Sequence, residues 1–191
     1  IEDDVVEVIA SHGNNRLGGD DFDQKIVNHI VEHIKDTSGI SIRQSRKAMA
    51  RLNRAAEEAK QRLSDQPFVT IEEEYIDEHE GAPIHLSLEL ARHDYEDMIA
   101  DYIDETLEAV HIALNSANLT ASDIDEILLV GGSTRTPLVS QRLQEDFRQQ
   151  PRSEVDPDLC VATGAAIQAA MIAGTDVSAS AVLVDITPYI Y

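Results

Sequence analysis

Residues Ile127 to Pro137, ILLVGGSTRTP, pass from four consecutive apolar side chains through a pair of glycines to a proline. A short, continuous apolar run of this kind is expected as a strand buried on both faces of a sheet. The pair Gly131-Gly132 lets backbone amides approach a ligand with no Cβ in the way. Pro137 suits the first position of a helix. Such a helix start carries unsatisfied N–H groups and a partial positive charge, which favour phosphate. Ser133 can donate a hydrogen bond, and Arg135 can pair with an anion or lie flat on an aromatic ring. The stretch matches neither the GxxxxGK loop nor the GxGxxG fingerprint. A tight strand-to-helix turn without a ligand is the plain alternative, and this stretch alone leaves both open.

Working outward, the segments on either side are strand–helix units that could share one sheet. Glu2 to Ser11 alternates, with Val6, Val8 and Ala10 on one side, and ends at Gly13, as a strand and turn would. Gly18-Gly19 opens a helix whose stripe is Phe22, Ile26, Ile30 and Ile34; Asp20, Asp21 and Asp23 suit its positive end, and Gly39 stops it. Asp156-Pro157-Asp158 starts a small-residue helix, and Val182 to Ile186 reads as a strand or extended linker. Between them, a helix is expected from about Ser45 to Leu63, ended by Pro67. Two β-like segments follow, 68–76 and 84–88, around a turn at Glu80-Gly81-Ala82-Pro83. A long helix then runs from about Arg92 to Ala117, with Tyr95, Ile99, Tyr102, Ile103, Leu107, Val110 and Leu114 on its buried side. The expected division is a discontinuous core subdomain, residues 1–39 plus 119–185, with an inserted α+β subdomain at 40–118.

The chain has 191 residues, 42% of them apolar and 27% charged, enough for one large domain or two small ones. No apolar stretch approaches the roughly 20 residues a bilayer requires, so no membrane partner is expected. Thirty-six acids against fifteen Lys and Arg leave a net charge of -21, which repels a phosphate backbone and argues against nucleic acid. One cysteine, Cys160, cannot close an internal disulfide; it reads as an inert buried thiol in a cytoplasmic protein. The chain opens without Met in strand-like alternation and reads as a piece of something longer.

Three further features carry possible chemistry. Leu17-Gly18-Gly19-Asp20 has the same helix-opening form as the first glycine pair. Glu57, Lys60 and Ser64, at spacings of three and four, share one helix face, where a carboxylate, an ammonium and a hydroxyl suit a sugar's hydroxyls. A solvated face with an i, i+3 ion pair explains the same pattern. His29-Ile30-Val31-Glu32-His33 matches H-x-x-E-H, an inverted zinc-peptidase pattern, but no third ligand can be placed and no metal is expected.

Taken together, GNNRLGGDDFD, RAAEEAKQRLS, ILLVGGSTRTPLV, VDPDLCVATGAAIQAA and AVLVDITP resemble, in order and over the whole chain, the 70-kilodalton heat-shock chaperones, the DnaK-like family. The resemblance implies an α/β fold, the second lobe of an actin-like, ribonuclease-H-like ATPase domain, with the middle stretch as its inserted subdomain. It places Gly19 by the ribose and phosphates. Glu57, Lys60 and Ser64 fall at the ribose and adenine edge, and Gly131, Gly132 and Ser133 face the phosphates and nucleoside. Arg135 is stacked on adenine, and Asp158 closes the base pocket. Residues 181–191 would begin the interdomain linker, with Val182, Leu183, Val184 and Asp185 in its apolar part.

Three positions depart from the family pattern. Gln61 stands where some members place an arginine opposite Arg135, so the cation stack on adenine is one-sided here. Asn14-Asn15-Arg16 replaces the usual Asp-Thr-His, and Tyr189-Ile190-Tyr191 replaces Leu-Ser-Leu. The phosphate loops and catalytic residues of the family match nothing in this chain, so no catalytic residue is assigned and this chain is not expected to hold Mg²⁺. The implied cofactor is ATP or ADP with Mg²⁺ in a full-length parent. Implied partners are a nucleotide-exchange factor, a J-domain co-chaperone and unfolded clients. A docking module for the exchange factor, and a lobe of a sugar kinase of the same fold, are the competing functions. An open ladder along Val5 to Ala10 is further expected to let the chain self-associate.

Overall fold

A computed structural model describes residues 5–152, 156, 158–174 and 182–185. The chain is mixed α/β and divides into two compact units. One comprises residues 15–103 and 135–138; the other comprises 1–14, 104–134 and 139–191. Within the first of these units, the first helix packs on the second.

In the first unit, α1 spans Gly19–Ser38. Its start is fixed by an exchange: Gly18 N–H donates to the Asp21 carboxylate at 2.8 Å, and Asp21 N–H donates to Gly18 O at 3.1 Å. Its end is fixed by Gly39, left-handed at φ +74°, whose N–H donates to Lys35 O. The stripe Phe22, Ile26, Ile30, Ile34 is buried as the spacing predicts, together with Val27 and Val31. Helix α2, Arg46–Leu63, begins where Ser45 Oγ accepts from Ala48 N–H. Ala48, Ala55, Ala56 and Ala59 lie on its buried side with Leu52 and Leu63, so the α1 and α2 backbones can come close. The guanidinium of Arg92 donates to Leu63 O at 2.7 Å and to Ser64 O at 3.4 Å, satisfying carbonyls at the end of α2.

Strands β2, Phe68–His79, and β3, Ala82–Ala91, form an antiparallel hairpin under these helices. The hairpin is longer than expected, because both central turn residues, Glu80 (φ +50°) and Gly81 (φ +81°), are left-handed. That conformation matches strand twist and leaves Ala82 and Pro83 free to pair with His79 and Glu78. Val69, Ile71, Ile76, Ile84, Leu86 and Leu90 point to the core. A bulge between Glu73 and Asp77 sets Tyr75 at φ +51°. Arg51 of α2 holds it by donating to Tyr75 O, to Glu74 O and to the Glu73 carboxylate. Helix α3, Arg92–Ser116, buries Tyr95, Ile99 and Ile103; Leu107, Val110 and Leu114, expected on the same side, are only half-buried.

In the second unit, β1 is Val5–Glu7; of the strand expected over Glu2 to Ser11, the end falls earlier, at Glu7. It pairs in parallel with β4, Val182–Val184, in the register Val5↔Val182, Val6↔Leu183, Glu7↔Val184. Val8 N–H extends the ladder to Val184 O at 2.8 Å. The expected open edge is therefore taken on one side by the chain's own linker-like segment. Ala181 and residues 186–191 lie outside the described residues, as do residues 1–4.

The expected two-face-buried strand at Ile127 to Val130 is corrected. Among the described residues one parallel bridge, Leu128 to Arg152, forms there, and Leu128 and Val130 are 65% and 43% exposed. An apolar run is buried on both faces only when other layers pack on both faces of its sheet, and among the described residues nothing covers the side of Leu128 and Val130. Helix α4, Pro137–Phe147, starts on the expected proline. His111 of α3 stacks on Phe147, with ring centroids 6.5 Å apart, and its Nε2 lies 2.9 Å from the Asp146 carboxylate. Helix α5, Cys160–Ile172, has no buried residue, and Cys160, expected to be buried, is half-exposed at its start. Because Ile30 is fully buried between well-packed neighbours, Ile30→Ala is expected to cost about 2 to 5 kcal/mol of unfolding free energy, measured by urea denaturation.

Candidate functional site

The residues singled out in the sequence fall into two groups, one in each unit. In the first unit, the end of α2 meets the start of α1. The Lys60 ammonium donates to Gly19 O at 3.1 Å and to the Asp23 carboxylate at 2.9 Å, the second carboxylate oxygen lying 2.8 Å away. Both side chains are largely buried. Burial pushes the Asp23 carboxyl up, against the hydrogen bond and charge of Lys60, which pull it down. The charges of Glu57 and Asp20 add to the upward push, which places Glu57 within electrostatic reach. Glu57 itself is exposed, and the exposed Gln61 donates to it at 3.5 Å along the helix. Ser64 is half-buried at the end of α2, where its N–H turns back to Gln61 O at 3.2 Å.

Gly19, Glu57, Lys60, Gln61 and Ser64 thus share one region. Exposed Glu57 can accept from hydroxyls, while two bonds fix the Lys60 ammonium. The sequence reading missed Asp23 as a member. Its signal is visible in retrospect: Asp23 stands three and seven residues before Ile26 and Ile30, in line with the buried stripe. An acid there needs a buried cation, and Lys60 is that cation.

In the second unit, the glycine turn closes tightly. Gly131 is left-handed at φ +91°, and the N–H and hydroxyl of Thr134 both donate to Gly131 O, at 3.1 and 2.7 Å. Residues Gly132–Arg135 form a single 3-10 turn. A Cβ built on Gly132 would sit 3.3 Å from the Asp158 carboxylate, tighter than most side chains tolerate. Asp158 is held by its own N–H, which donates to the Asp156 side chain at 3.0 Å. Asp156 O accepts from Leu159 and Cys160 N–H at the start of α5. Gly132 and Asp158, far apart in sequence, are therefore brought into contact. Pro157 lies outside the described residues. Arg135 is exposed and belongs to the first unit, as does the following stretch to Leu138.

The zinc-peptidase pattern gains no support. Glu32 pairs with Arg43 at 3.2 Å and lies 3.7 Å from Lys35, and among the described residues no group of three His, Cys, Asp or Glu could hold a metal ion. Among the described residues, no helix is long and apolar enough to cross a membrane.

The Hsp70 protein family model matches residues 1–191. The chain is 44% identical over 197 aligned positions to the chaperone protein DnaK of Thermotoga neapolitana, covering 98% of this chain and 32% of that protein. It is 44% identical over 190 positions to DnaK of Thermosipho africanus and 43% identical to that of Thermosipho melanesiensis, with the same coverage. The chain belongs to the Hsp70 family and spans about a third of the length of these relatives.

The buried ion pair carries a test. Removing the Lys60 charge leaves Asp23 buried without its cation, so Lys60→Met is expected to cost about 3 to 5 kcal/mol at neutral pH. Without Lys60, the folded-state carboxyl is raised further above its unfolded value. The penalty is then present at pH above the folded value and shrinks as pH falls through it. Denaturation of the variant and of Lys60→Met with Asp23→Asn checks this: the second change should recover most of the loss.

Proposed function

We propose that this Hsp70-family chain is the adenosine-nucleotide-binding lobe of an ATP-dependent protein-folding chaperone, the second lobe of an actin-like ATPase domain. The observation that carries the reading is the contact of Gly132 with Asp158, which joins two distant motifs expected at the same nucleotide. In this reading Glu57, Lys60, Gln61 and Ser64 hold the ribose and adenine edge, with Gly19 by the ribose and phosphates. Gly131, Gly132 and Ser133 face the phosphates through their backbone, Asp158 closes the base pocket, and Arg135 stacks on adenine. Helix–hairpin–helix residues 40–118 form the inserted subdomain against which an exchange factor acts.

The chain's share of the work is binding and orientation. Magnesium supplies charge neutralisation on the phosphates when bound, and the groups that hold it lie in a parent of the relatives' length. A J-domain co-chaperone and unfolded clients are partners of that parent, in the cytoplasm. The parallel pairing of Val182–Val184 with Val5–Glu7 supports a role for this segment, with Asp185, in passing nucleotide state onward.

Two outcomes are expected. In the full-length protein that carries this segment, Arg135→Ala should weaken ADP binding about 5- to 30-fold, the loss of a cation stacked on adenine. Calorimetry decides it; an unchanged dissociation constant would mean that the side chain points elsewhere. The 191-residue chain by itself is expected to show no Mg²⁺-dependent ATP turnover above a contamination control.

A further inference from the structure

Arg135 stands between two fixed points. Upstream, the Gly131 turn is closed by both donors of Thr134. Downstream, Thr136 is 3% exposed and Leu138 is buried, so the backbone dives into the core one residue after the exposed arginine. The Thr136 hydroxyl lies 3.5 Å from the hydroxyl of Tyr95, itself fully buried on α3. A threonine hydroxyl and a tyrosine hydroxyl facing each other in a core are not explained by burial alone, since a valine and a phenylalanine would bury more favourably.

We infer that Thr136 and Tyr95 are positioning residues: their buried hydroxyl pair sets the backbone from which Arg135 reaches the adenine ring. The inference rests on the nucleotide reading of Arg135 given above. Arg135, Thr136 and Tyr95 fall in the same unit as Glu57, Lys60, Gln61 and Ser64. Thr136, buried against Tyr95 of α3, sets the backbone one residue after the arginine. Burial also pushes the Tyr95 phenol up to about 12, so both hydroxyls stay neutral across the working pH range and the contact does not titrate there.

Because the contact is long for O–H···O, the expected effect is modest. A double-mutant cycle on ADP affinity in the full-length protein reads it. Thr136→Val keeps the shape and removes the hydroxyl; Tyr95→Phe removes the other hydroxyl and covers the case in which the first variant fails to fold. Each is expected to weaken ADP binding about 2- to 5-fold, and Thr136→Ser to restore it. If they act through Arg135, neither weakens binding further when Arg135 is already alanine. Losses that multiply on the Arg135→Ala background, or no loss in the unsubstituted protein, overturn the inference alone. An Arg135→Ala variant that binds ADP normally overturns the nucleotide reading of Arg135 and the inference with it.

Discussion

The ammonium of Lys60, clasped by both oxygens of Asp23 and by Gly19 O, ties the last turn of α2 to the first turn of α1. Removing two charges from water costs several kcal/mol per ion, so such a pair is poor evidence for stability. Its effect is on register. With Asp23 in the buried stripe, α1 can slide or rotate only by leaving a carboxylate buried and unpaired. The alanine face of α2 lets the helices approach closely enough for the clasp to close, and the aliphatic stripe of α1 seals it from solvent. Gly19, Glu57, Gln61 and Ser64 take their places from this one junction, so the geometry of the proposed ribose edge depends on it.

The two units differ in how well they are filled. The first is stocked with large, fully buried side chains from four elements: Ile26, Ile30, Leu52, Leu90 and Ile99 among them. Among the described residues of the second, the buried aliphatic and aromatic side chains are few, Leu143 and Phe147, while Leu128, Val161 and Ile172 are 65%, 73% and 80% exposed. Singly exposed apolar residues are ordinary on a protein surface. The net charge of -21 keeps such a surface dispersed at low salt, and screening weakens that protection as ionic strength rises. The proposed site residues follow the same contrast: the well-filled unit supplies polar side chains at helical spacing, whereas the other supplies a tight glycine turn.

Much of the first unit was legible because its signals are local. The i, i+4 isoleucines of α1, Ser45 before α2 and Gly39 after α1 each declare a boundary within a few residues, and the helix face of Glu57, Lys60 and Ser64 follows from spacing alone. What could not be read depends on partners distant in sequence. Ile127 to Val130 carries the composition of a central strand, yet its burial depends on what packs on each face, which composition does not report. Asp23 looks like a helix-dipole acid until Lys60 is placed beside it. The bulge at Tyr75 is set by Arg51, twenty-odd positions upstream on another element. The contact of Gly132 with Asp158 could not be read from the sequence, since nothing local in either motif points to the other.

The central claim is that the chain is the adenosine-nucleotide-binding lobe proposed above. Amide chemical-shift mapping of the full-length protein on adding ADP tests it most directly. The account predicts perturbations at Gly19, at Glu57 to Ser64, at Gly131 to Arg135 and at Asp158, saturating together with a single dissociation constant. Perturbations confined to one of these groups, or saturating at different ADP concentrations, would contradict it.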